Sequence, residues 1–283
     1  METQKKLEQH FSCEFFPPKT EQGMEKLFAT AEILKHEINP KFFSVTFGAG
    51  GSTRETTFNA VTKIQQHTGC EVAPHLSCIG SSKEQLKEIL DEYKEQGIKR
   101  IVTLRGDMPS GTVSHGDFNH ANELVTFINE SYNNHFHIEV AAYPETHPQA
   151  ASAKKDLQHF VNKVKAGANS AITQYFYNTD SYYYFIDDCE KMGLDIPIVP
   201  GIMPITNFSN LSRFSEMCGA DIPQWLRRKL ESYADDVESI KDFGADFVSE
   251  MSRKLLDMGA PGLHFYSMNQ SEATLRIWNN LKK

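Results

Sequence analysis

Residues 100–107 read RIVTLRGD, residues 121–132 read ANELVTFINESY, and residues 137–144 read HIEVAAYP. The first and last of these runs are short and rich in β-branched residues, whereas the middle run places Leu124, Val125 and Ile128 on one face of a helix. A strand, a helix and a second strand in this order form a right-handed unit with parallel strands. We therefore expect this part of the chain to fold as a βαβ unit.

Short apolar runs of the same kind recur along the whole chain, with helix-period segments such as 83–96 between them. Eight alternations of strand and helix without a break in composition favour a closed barrel over an open sheet. We predict an α/β fold, a (β/α)8 TIM barrel in which residues 1–283 form a single domain. Segment 207–259 is too long for one crossover and predicts extra helices between strands 7 and 8. The predicted strands are 12–16, 42–47, 71–78, 100–106, 137–144, 170–176, 196–202 and 262–268.

The composition argues against several classes of protein. The chain of 283 residues carries a formal net charge of -8, which disfavours bulk attraction to nucleic acid or to an anionic membrane. No apolar run is long enough to cross a bilayer, and the first residues do not resemble a signal peptide. The five cysteines form an odd set without a CxxC pair, which indicates reduced thiols. We expect a cytoplasmic protein that binds neither nucleic acid nor a membrane.

Glu14 is the most informative polar residue because it stands inside an apolar run. Cys13, Phe15 and Phe16 surround it, and Pro17 prevents a helix from starting directly after the strand. Apolar surroundings disfavour the charged form of a carboxylate, so we expect a raised pKa and a general acid at neutral pH. The alternative is a carboxylate paired with a basic side chain inside the barrel.

Further polar residues follow the predicted strands, where a barrel gathers its active site. Arg105, Gly106 and Asp107 end strand four: the arginine can bind phosphate, the glycine lets a ligand approach the backbone, and the aspartate can accept a ring N–H. The alternative is a turn with a surface ion pair. The glycine-rich run 46–53 precedes a helix and could bind an anion, but it lacks the lysine of a P-loop.

The remaining candidates suggest an organic ligand. His75 and His147 match no metal-binding spacing, so we expect no metal. Gln174 and the aromatic residues around it offer an amide and a stacking surface that suit a planar heterocycle, although aromatic residues also simply fill cores. Asp156 and Lys163 share one face of the helix after strand five and could bind a ribose or a pyrophosphate, or be solvated helix charges.

Eight short motifs together resemble bacterial methylenetetrahydrofolate reductases. The motifs occur in the order and at the spacing typical of that family, and the resemblance covers the whole chain. They are CEFFPP at 13–18, APHL at 73–76, LRGD at 104–107, AAYPE at 141–145, GAN at 167–169, ITQ at 172–174, PGI at 200–202 and HFY at 264–266.

The resemblance implies a (β/α)8 barrel that binds FAD, is reduced by NADH, and then reduces 5,10-methylenetetrahydrofolate to 5-methyltetrahydrofolate. The nicotinamide and the folate would take turns at one face of the flavin. Glu14 would protonate the folate nitrogen and open its five-membered ring, and Asp107 would steady the resulting cation. Gln174 would hydrogen-bond the pterin or the nicotinamide, and Phe214 would stack on either ring. The resemblance also implies a homo-oligomer without the C-terminal regulatory domain of eukaryotic relatives.

This chain departs from the family pattern at five positions near the expected ligands. This chain has His120 where the family tends to have tyrosine, Asn210 where a folate-contacting glutamine is usual, and Gln270 where an arginine meets the folate tail. His159 and Asn162 likewise replace an asparagine and an arginine near the FAD.

The residues expected to bind FAD are Thr46, Phe47, Ala49, His75, Arg105, Gly106, Asp107, His120, Ala121, Tyr143, His147, Ala150, Asp156 and Lys163. The residues expected to bind substrate are Thr46, Asp107, Gln174, Asn210, Phe214 and Gln270.

Two other functions are compatible with the same residues. A glycoside hydrolase could use two carboxylates at the barrel mouth, drawn from Glu14, Asp107 and Glu145. A flavin or pterin carrier without catalysis could use the same pocket. The residues do not decide between NADH and NADPH, because no Rossmann acidic residue is present to be read.

Overall fold

The computed structural model describes residues 1–47, 54–106 and 116–283. Two of the predicted site residues, Ala49 and Asp107, lie outside these ranges. In the described part, parallel strands alternate with helices, as the apolar runs predict. The strands are β1 (His10–Phe15), β2 (Phe42–Val45), β3 (Glu71–Ser77), β4 (Arg100–Leu104), β5 (His137–Ala142), β6 (Ser170–Thr173), β7 (Ile198–Val199), β8 (Gly201–Ile202) and β9 (Gly262–Tyr266).

The strands form a barrel that closes through the segment containing β7 and β8. These two short strands are consecutive and are separated by Pro200, which has no N–H to give to the sheet. β7 pairs in parallel with β6, and β8 pairs in parallel with β9. β1 lies between β2 and β9. Taken as one strand, β7 and β8 complete a ring of eight parallel strands, which confirms the predicted (β/α)8 barrel.

The helices surround the barrel, and three of them lie between β8 and β9. This confirms the prediction of extra helices in segment 207–259. Among the described residues, no helix combines the length and the apolar content that crossing a bilayer requires. The helices are α1 (Glu21–Ile38), α2 (Arg54–Thr68), α3 (Lys83–Glu95), α4 (Ala121–Tyr132), α5 (Ala153–Lys165), α6 (Thr179–Lys191), α7 (Phe208–Cys218), α8 (Gln224–Glu231), α9 (Val237–Asp257) and α10 (Glu272–Leu281).

The strands end earlier than the apolar runs suggest. β4 ends at Leu104 and β6 ends at Thr173, so Arg105 and Gln174 lie just beyond the regular ladder. Gln174 still donates its backbone N–H to the carbonyl of Ala142, at 2.8 Å. The side chains that follow the strands are therefore held at the carboxyl-terminal mouth of the barrel by a few more backbone hydrogen bonds.

The barrel interior has an apolar middle. Phe42, Ala73, Val102 and Ile172 form a buried cluster of their own, separate from the large core between the strands and the helices. Leu104 packs against this cluster from the side of the mouth. The cluster divides the polar residues inside the barrel into two groups, one at the amino-terminal end and one at the mouth.

The group at the amino-terminal end is a buried ion-pair network around Arg100. Its guanidinium lies 3.0 Å from Glu71 and 2.5 Å from Glu139, and 4.6 Å from the centre of the Phe42 ring. His137 contacts Glu139 at 3.3 Å. Burial by itself raises the pKa of Glu139, but hydrogen bonding with His137 and the charge of Arg100 outweigh this and lower the pKa to about 2.

Replacing Glu139 by glutamine should lower the free energy of unfolding by about 3 kcal/mol, because Arg100 then remains buried and charged with one partner fewer. Glu71→Gln is the matched control: it removes a carboxylate that is 32% exposed from the same guanidinium, and should cost less than about 1 kcal/mol. Urea unfolding of both variants measures the difference. Equal losses in the two variants would contradict the importance of the buried pair.

The same network predicts a pH dependence. The folded-state pKa of Glu139 lies at about 2, below the ordinary value of 4.5, so its stabilisation is present above pH 4.5 and declines as the pH falls towards 2. The stability gap between the wild type and Glu139→Gln should therefore be smaller at about pH 3.5 than at about pH 7. A gap that stays constant over this range would show that Glu139 is not the titrating group.

Candidate active site

The mouth of the barrel holds a groove made of two adjoining cavities, each of about 450 Å³. We call them the Glu14 cavity and the Lys163 cavity after one residue that lines each. The two cavities share the lining residues Leu104, Ala141, Tyr143, His147 and Gln149. One elongated ligand could therefore occupy both cavities.

The polar contacts in the Glu14 cavity centre on Glu14. Its Oε2 atom lies 3.2 Å from Nε2 of His75 and 3.5 Å from Nε2 of His264, and accepts a hydrogen bond from Oγ of Ser44 at 3.3 Å. The strands explain this meeting, because Glu14 pairs with Ser44 on β2 and with Tyr266 on β9. The Glu14 side chain is 17% exposed, which leaves it accessible from the groove.

The prediction that apolar surroundings raise the pKa of Glu14 is wrong. Burial does act in that direction, but the positive charge that His75 and His264 bring next to the carboxylate outweighs it, and the pKa falls to about 2. The alternative stated from the sequence, a carboxylate paired with basic side chains inside the barrel, describes the geometry better. Without a ligand, Glu14 is therefore an anion at neutral pH.

His264 and Ser12 are site residues for which the sequence analysis gave no role. Nδ1 of His264 lies 2.7 Å from Oγ of Ser12, and both side chains are buried. The available signal was the strand period of two: Ser12 and Glu14 face the same side of β1, and His264 and Tyr266 face the same side of β9. Both strands present these polar side chains to the barrel interior, where a histidine on β9 can meet a carboxylate on the neighbouring β1.

Several buried polar atoms at this mouth lack a hydrogen-bond partner among the residues that the structure describes. They are Nε2 of His75 and of His264, which approach Glu14 without the geometry of a hydrogen bond, and Oγ1 of Thr46 and of Thr103. Buried polar atoms are nearly always hydrogen-bonded in folded proteins. Four such atoms near the carboxyl ends of β2, β3, β4 and β9 indicate that this surface is completed by a polar ligand.

The Lys163 cavity is lined by cations. Nζ of Lys163, on α5, donates a hydrogen bond to the carbonyl of Ala141. Burial lowers the pKa of this amine to about 8, although the charge of Asp156 acts in the opposite direction. Arg105 donates from Nη2 to the side chain of Gln149 and from Nε to the carbonyl of Gly106, the latter at 3.2 Å. Both cations can meet an anionic group of a ligand.

The loop after β5 is shaped by side-chain contacts with the backbone. Asp156 accepts the N–H of His147 at 2.8 Å, and Nδ1 of His147 accepts the N–H of Gln149 at 3.0 Å. The His147 carbonyl accepts the N–H of Ala150 at 2.8 Å, and its ring meets Tyr143 edge to face with ring centres 4.5 Å apart. The loop therefore presents Tyr143 and His147 to both cavities in a fixed arrangement.

The opposite edge of the Lys163 cavity is the start of α4. His120 precedes the helix and Ala121 is its first residue, and both line the cavity. The ring of His120 stacks on that of His159 from α5, with centres 5.5 Å apart. His159, one of the departures from the family pattern, thus also lines this cavity.

One side of the Glu14 cavity, which we call its wall, is lined mainly by apolar side chains. Glu14 and His75 form the other side, which we call its floor. Gln174 accepts the backbone N–H of Tyr175 at 3.0 Å and lines the cavity together with Phe214 from α7. The sulphur-bearing side chains of Met203, Met217, Cys218 and Met268 lie in the same wall, and the sequence analysis did not single them out. A wall of this kind is suited to the faces of a flat ring.

Some predicted residues do not line either described cavity. Asn210 is exposed in the first turn of α7 and donates its backbone N–H to the side chain of Asn207. Gln270 is exposed and lines a separate small cavity of about 70 Å³. Phe47 is partly buried and is the last described residue before the gap that contains Ala49.

Glu145 also lies outside both cavities, although the sequence made it a possible catalytic carboxylate. It accepts the backbone N–H of Asp221 at 2.8 Å and the hydroxyl of Ser181 at 3.4 Å. Burial and the nearby charge of Asp221 raise its pKa. Glu145 thus ties the loop after β5 to α6 and to the chain after α7, and the described residues give no support to a pair of catalytic carboxylates.

The chain is similar to one family of known proteins over nearly its whole length. The model of the family described as methylenetetrahydrofolate reductase matches residues 1–282. Curated proteins named 5,10-methylenetetrahydrofolate reductase from Pectobacterium carotovorum and Escherichia coli are 41% and 40% identical over 270 residues, which is 95% of this chain and 89% and 90% of theirs. An Arabidopsis thaliana protein named methylenetetrahydrofolate reductase (NADH) 1 is 38% identical, over 96% of this chain but 48% of its own length.

A solved structure with the same fold comes from Clostridium thermocellum and is described as an uncharacterized protein that binds two copies of 5-methyl-5,6,7,8-tetrahydrofolic acid. It has a TM-score of 0.65, covers 99% of this chain and 97% of its own, and is 14% identical in sequence, so it supports the fold alone. The family match and the bacterial relatives both span nearly the whole chain. The chain therefore belongs to the methylenetetrahydrofolate reductase family.

Proposed function

We propose that this chain reduces 5,10-methylenetetrahydrofolate to 5-methyltetrahydrofolate, with FAD as cofactor and NADH as reductant, in two alternating half-reactions. Family membership supports the substrate and the reaction. The observation in the structure that carries the proposal is the position of Glu14: a carboxylate in contact with two imidazoles, at the floor of a cavity walled by flat and sulphur-bearing side chains.

The groove fits FAD by its shape and by the chemistry of its lining. Lys163 and Arg105 can answer the two negative charges of a pyrophosphate, and the joined cavities let a dinucleotide reach from them to Glu14. When bound, FAD supplies a two-electron carrier that accepts hydride from one substrate and returns it to another. The described residues that we propose to hold it are Thr46, Phe47, His75, Arg105, Gly106, His120, Ala121, Tyr143, His147, Ala150, Asp156 and Lys163. Ala49 and Asp107, also proposed to contact FAD, lie outside the described residues.

Glu14 must carry a proton to act as an acid on the folate. Excluding water disfavours the charged form of a buried carboxylate. A flat substrate that covers Glu14 would therefore raise its pKa and favour uptake of a proton at Oε2, which lies 3.2 Å from Nε2 of His75 and 3.5 Å from Nε2 of His264. The carboxyl group then holds the proton that opens the folate ring.

The other substrate contacts follow from the wall of the Glu14 cavity. Gln174 presents an amide to the edge of a pterin or a nicotinamide, and Phe214 presents a ring for stacking on either. We also propose Thr46 as a substrate contact, together with Asp107, which lies outside the described residues. Asn210 and Gln270 lie outside both described cavities, so we propose for them only contacts with the part of the folate that extends beyond the pterin.

We further propose a single catalytic barrel domain, a homo-oligomeric state and a cytoplasmic location. A flavin or pterin carrier without catalysis is the second candidate, because the same groove would serve it.

The wild-type protein should be yellow after purification, and NADH added without oxygen should bleach the flavin absorption. Addition of 5,10-methylenetetrahydrofolate should then restore the colour, because the folate takes up the electrons. Absorption spectroscopy in an anaerobic cuvette follows both steps. A yellow protein that NADH does not bleach would be a carrier, and a colourless protein that cannot be loaded with FAD would rule out both the reductase and a flavin carrier.

Glu14→Gln should separate the two half-reactions. We expect reduction by NADH to stay within about threefold of wild type, and reoxidation by the folate to slow by about 100-fold or more, because only the second step needs the proton. Stopped-flow absorption measures each step. Glu145→Gln, a partly buried carboxylate outside both cavities, is the control and should leave both rates near wild type. Folate turnover near wild type in Glu14→Gln would disprove the acid role.

Lys163→Met should weaken FAD binding by about 10- to 100-fold, because a charge-assisted contact to the pyrophosphate is lost. The pKa of Lys163 is about 8 and an adjacent anion raises it, so wild-type binding takes up a proton above pH 8 and weakens as the pH rises further. The variant should lack this pH dependence. Dissociation constants from flavin fluorescence test both points, with Lys165→Met, an exposed lysine of the same helix, as control. Equal pH profiles for wild type and Lys163→Met would contradict the assignment.

A further inference from the structure

The wall of the Glu14 cavity opposite its floor is formed by α7, which has few buried side chains. Phe214, Met217 and Cys218 of this helix line the cavity, and Met217 is 74% exposed. Leu211 and Ser215 are its buried residues. An ordinary amphipathic helix would be held by a broad apolar stripe. Phe208 and Cys218 also pack against the core, and Arg227 of α8 donates to Oγ of Ser212. The buried hydroxyl of Ser215 is thus one of several contacts that hold α7, and it is the buried polar one.

Ser215 makes that contact with Tyr175. Oγ of Ser215 lies 3.0 Å from Oη of Tyr175, and both residues are buried, at 4% and 3% exposure. Cys218, one helical turn after Ser215, donates from Sγ to the same Oη at 3.4 Å. Hydroxyl groups buried in an apolar environment are costly unless they are paired, so the helix is favoured in the one position where Ser215 reaches Tyr175.

Tyr175 is itself fixed to the rim of the barrel. It follows Gln174, whose backbone N–H is bonded to the carbonyl of Ala142 and whose side chain accepts the N–H of Tyr175. The ring of Tyr175 packs against Tyr266 and Tyr177, with centres 6.2 Å and 5.8 Å away. The same short segment thus places Gln174 on one side of the cavity and holds the helix that carries Phe214 on another.

We propose that the Tyr175–Ser215 hydrogen bond sets the separation between Phe214 and Gln174, and that Tyr175 and Ser215 are positioning residues for the flat ring of the folate. The inference rests on the proposed function, because it assigns these residues to the folate. The Lys163 cavity is built from other elements, with Arg105 after β4 and Lys163 on α5. Although FAD would also reach the Glu14 cavity, its pyrophosphate contacts lie on these other elements, so loss of the hydrogen bond should affect FAD binding much less than folate binding.

Three variants test this proposal: Tyr175→Phe, Ser215→Ala and the double variant. Each single change should raise the dissociation constant of 5-methyltetrahydrofolate and the KM for 5,10-methylenetetrahydrofolate by about three- to tenfold, the factor that one net hydrogen bond contributes. We expect kcat and the dissociation constant for FAD to stay within about twofold of wild type. Folate binding by the double variant should lie within about twofold of that of the more weakly binding single variant, because both changes remove the same hydrogen bond.

Tyr182→Phe controls for general loosening of the fold. Because Tyr175 itself lines the Glu14 cavity and Ser215 lines neither cavity, Ser215→Ala is the variant that separates positioning from direct contact with the folate. Tyr182 is a buried tyrosine whose hydroxyl donates to the carbonyl of Ile198 at 2.8 Å, and it does not line either described cavity. Removing its hydroxyl tests whether general loosening of the fold weakens folate binding. Circular dichroism and FAD content establish that each variant is folded, and Ser215→Ala carries the test if Tyr175→Phe fails to fold.

Several outcomes would overturn the proposal. Folate binding within about twofold of wild type in a folded single variant would show that the bond does not position the ring. Single effects that multiply in the double variant would show that the two hydroxyls act separately. A control variant that weakens binding as much as Tyr175→Phe would show a general effect. Wild-type protein that binds no folate would instead refute the proposed function.

Discussion

The contact between Glu14 and the imidazoles of His75 and His264 is the interaction on which the site depends. A carboxylate can be held inside a barrel only if positive charge or hydrogen-bond donors offset the loss of water. The parallel register of β1 between β2 and β9 brings these groups together. The result is a carboxylate that is an anion in the unliganded protein.

The polar residues at the two ends of the barrel interior differ in how many of their buried polar atoms have hydrogen-bond partners. Around Arg100 the guanidinium meets two carboxylates, so that end stabilises the fold. At the mouth, Nε2 of His75 and of His264 and Oγ1 of Thr46 lack hydrogen-bond partners. Unsatisfied buried atoms reduce stability, and their concentration at the mouth is consistent with a surface that a ligand completes. The apolar cluster of Phe42 and its neighbours separates the two ends.

The two cavities are also held in different ways. The loop that joins them is fixed by the backbone N–H groups of His147 and Asp221, which donate to the carboxylates of Asp156 and Glu145. The wall formed by α7 has only a narrow buried face and one buried hydroxyl contact, between Ser215 and Tyr175.

The sequence by itself determined the alternation of strands and helices, the extra helices before β9 and the membership in a family, because periodicity and motifs are local properties of the chain. It also placed Glu14, Gln174 and Lys163 at the mouth, since parallel strands bring their carboxyl ends to one edge. Only the tertiary structure decided that Glu14 is an anion, that His264 and Ser12 belong to its cluster, and that Gln270 lies outside both described cavities. Those outcomes depend on contacts between residues far apart in the chain, which the strand register and the helix positions fix and no local pattern encodes.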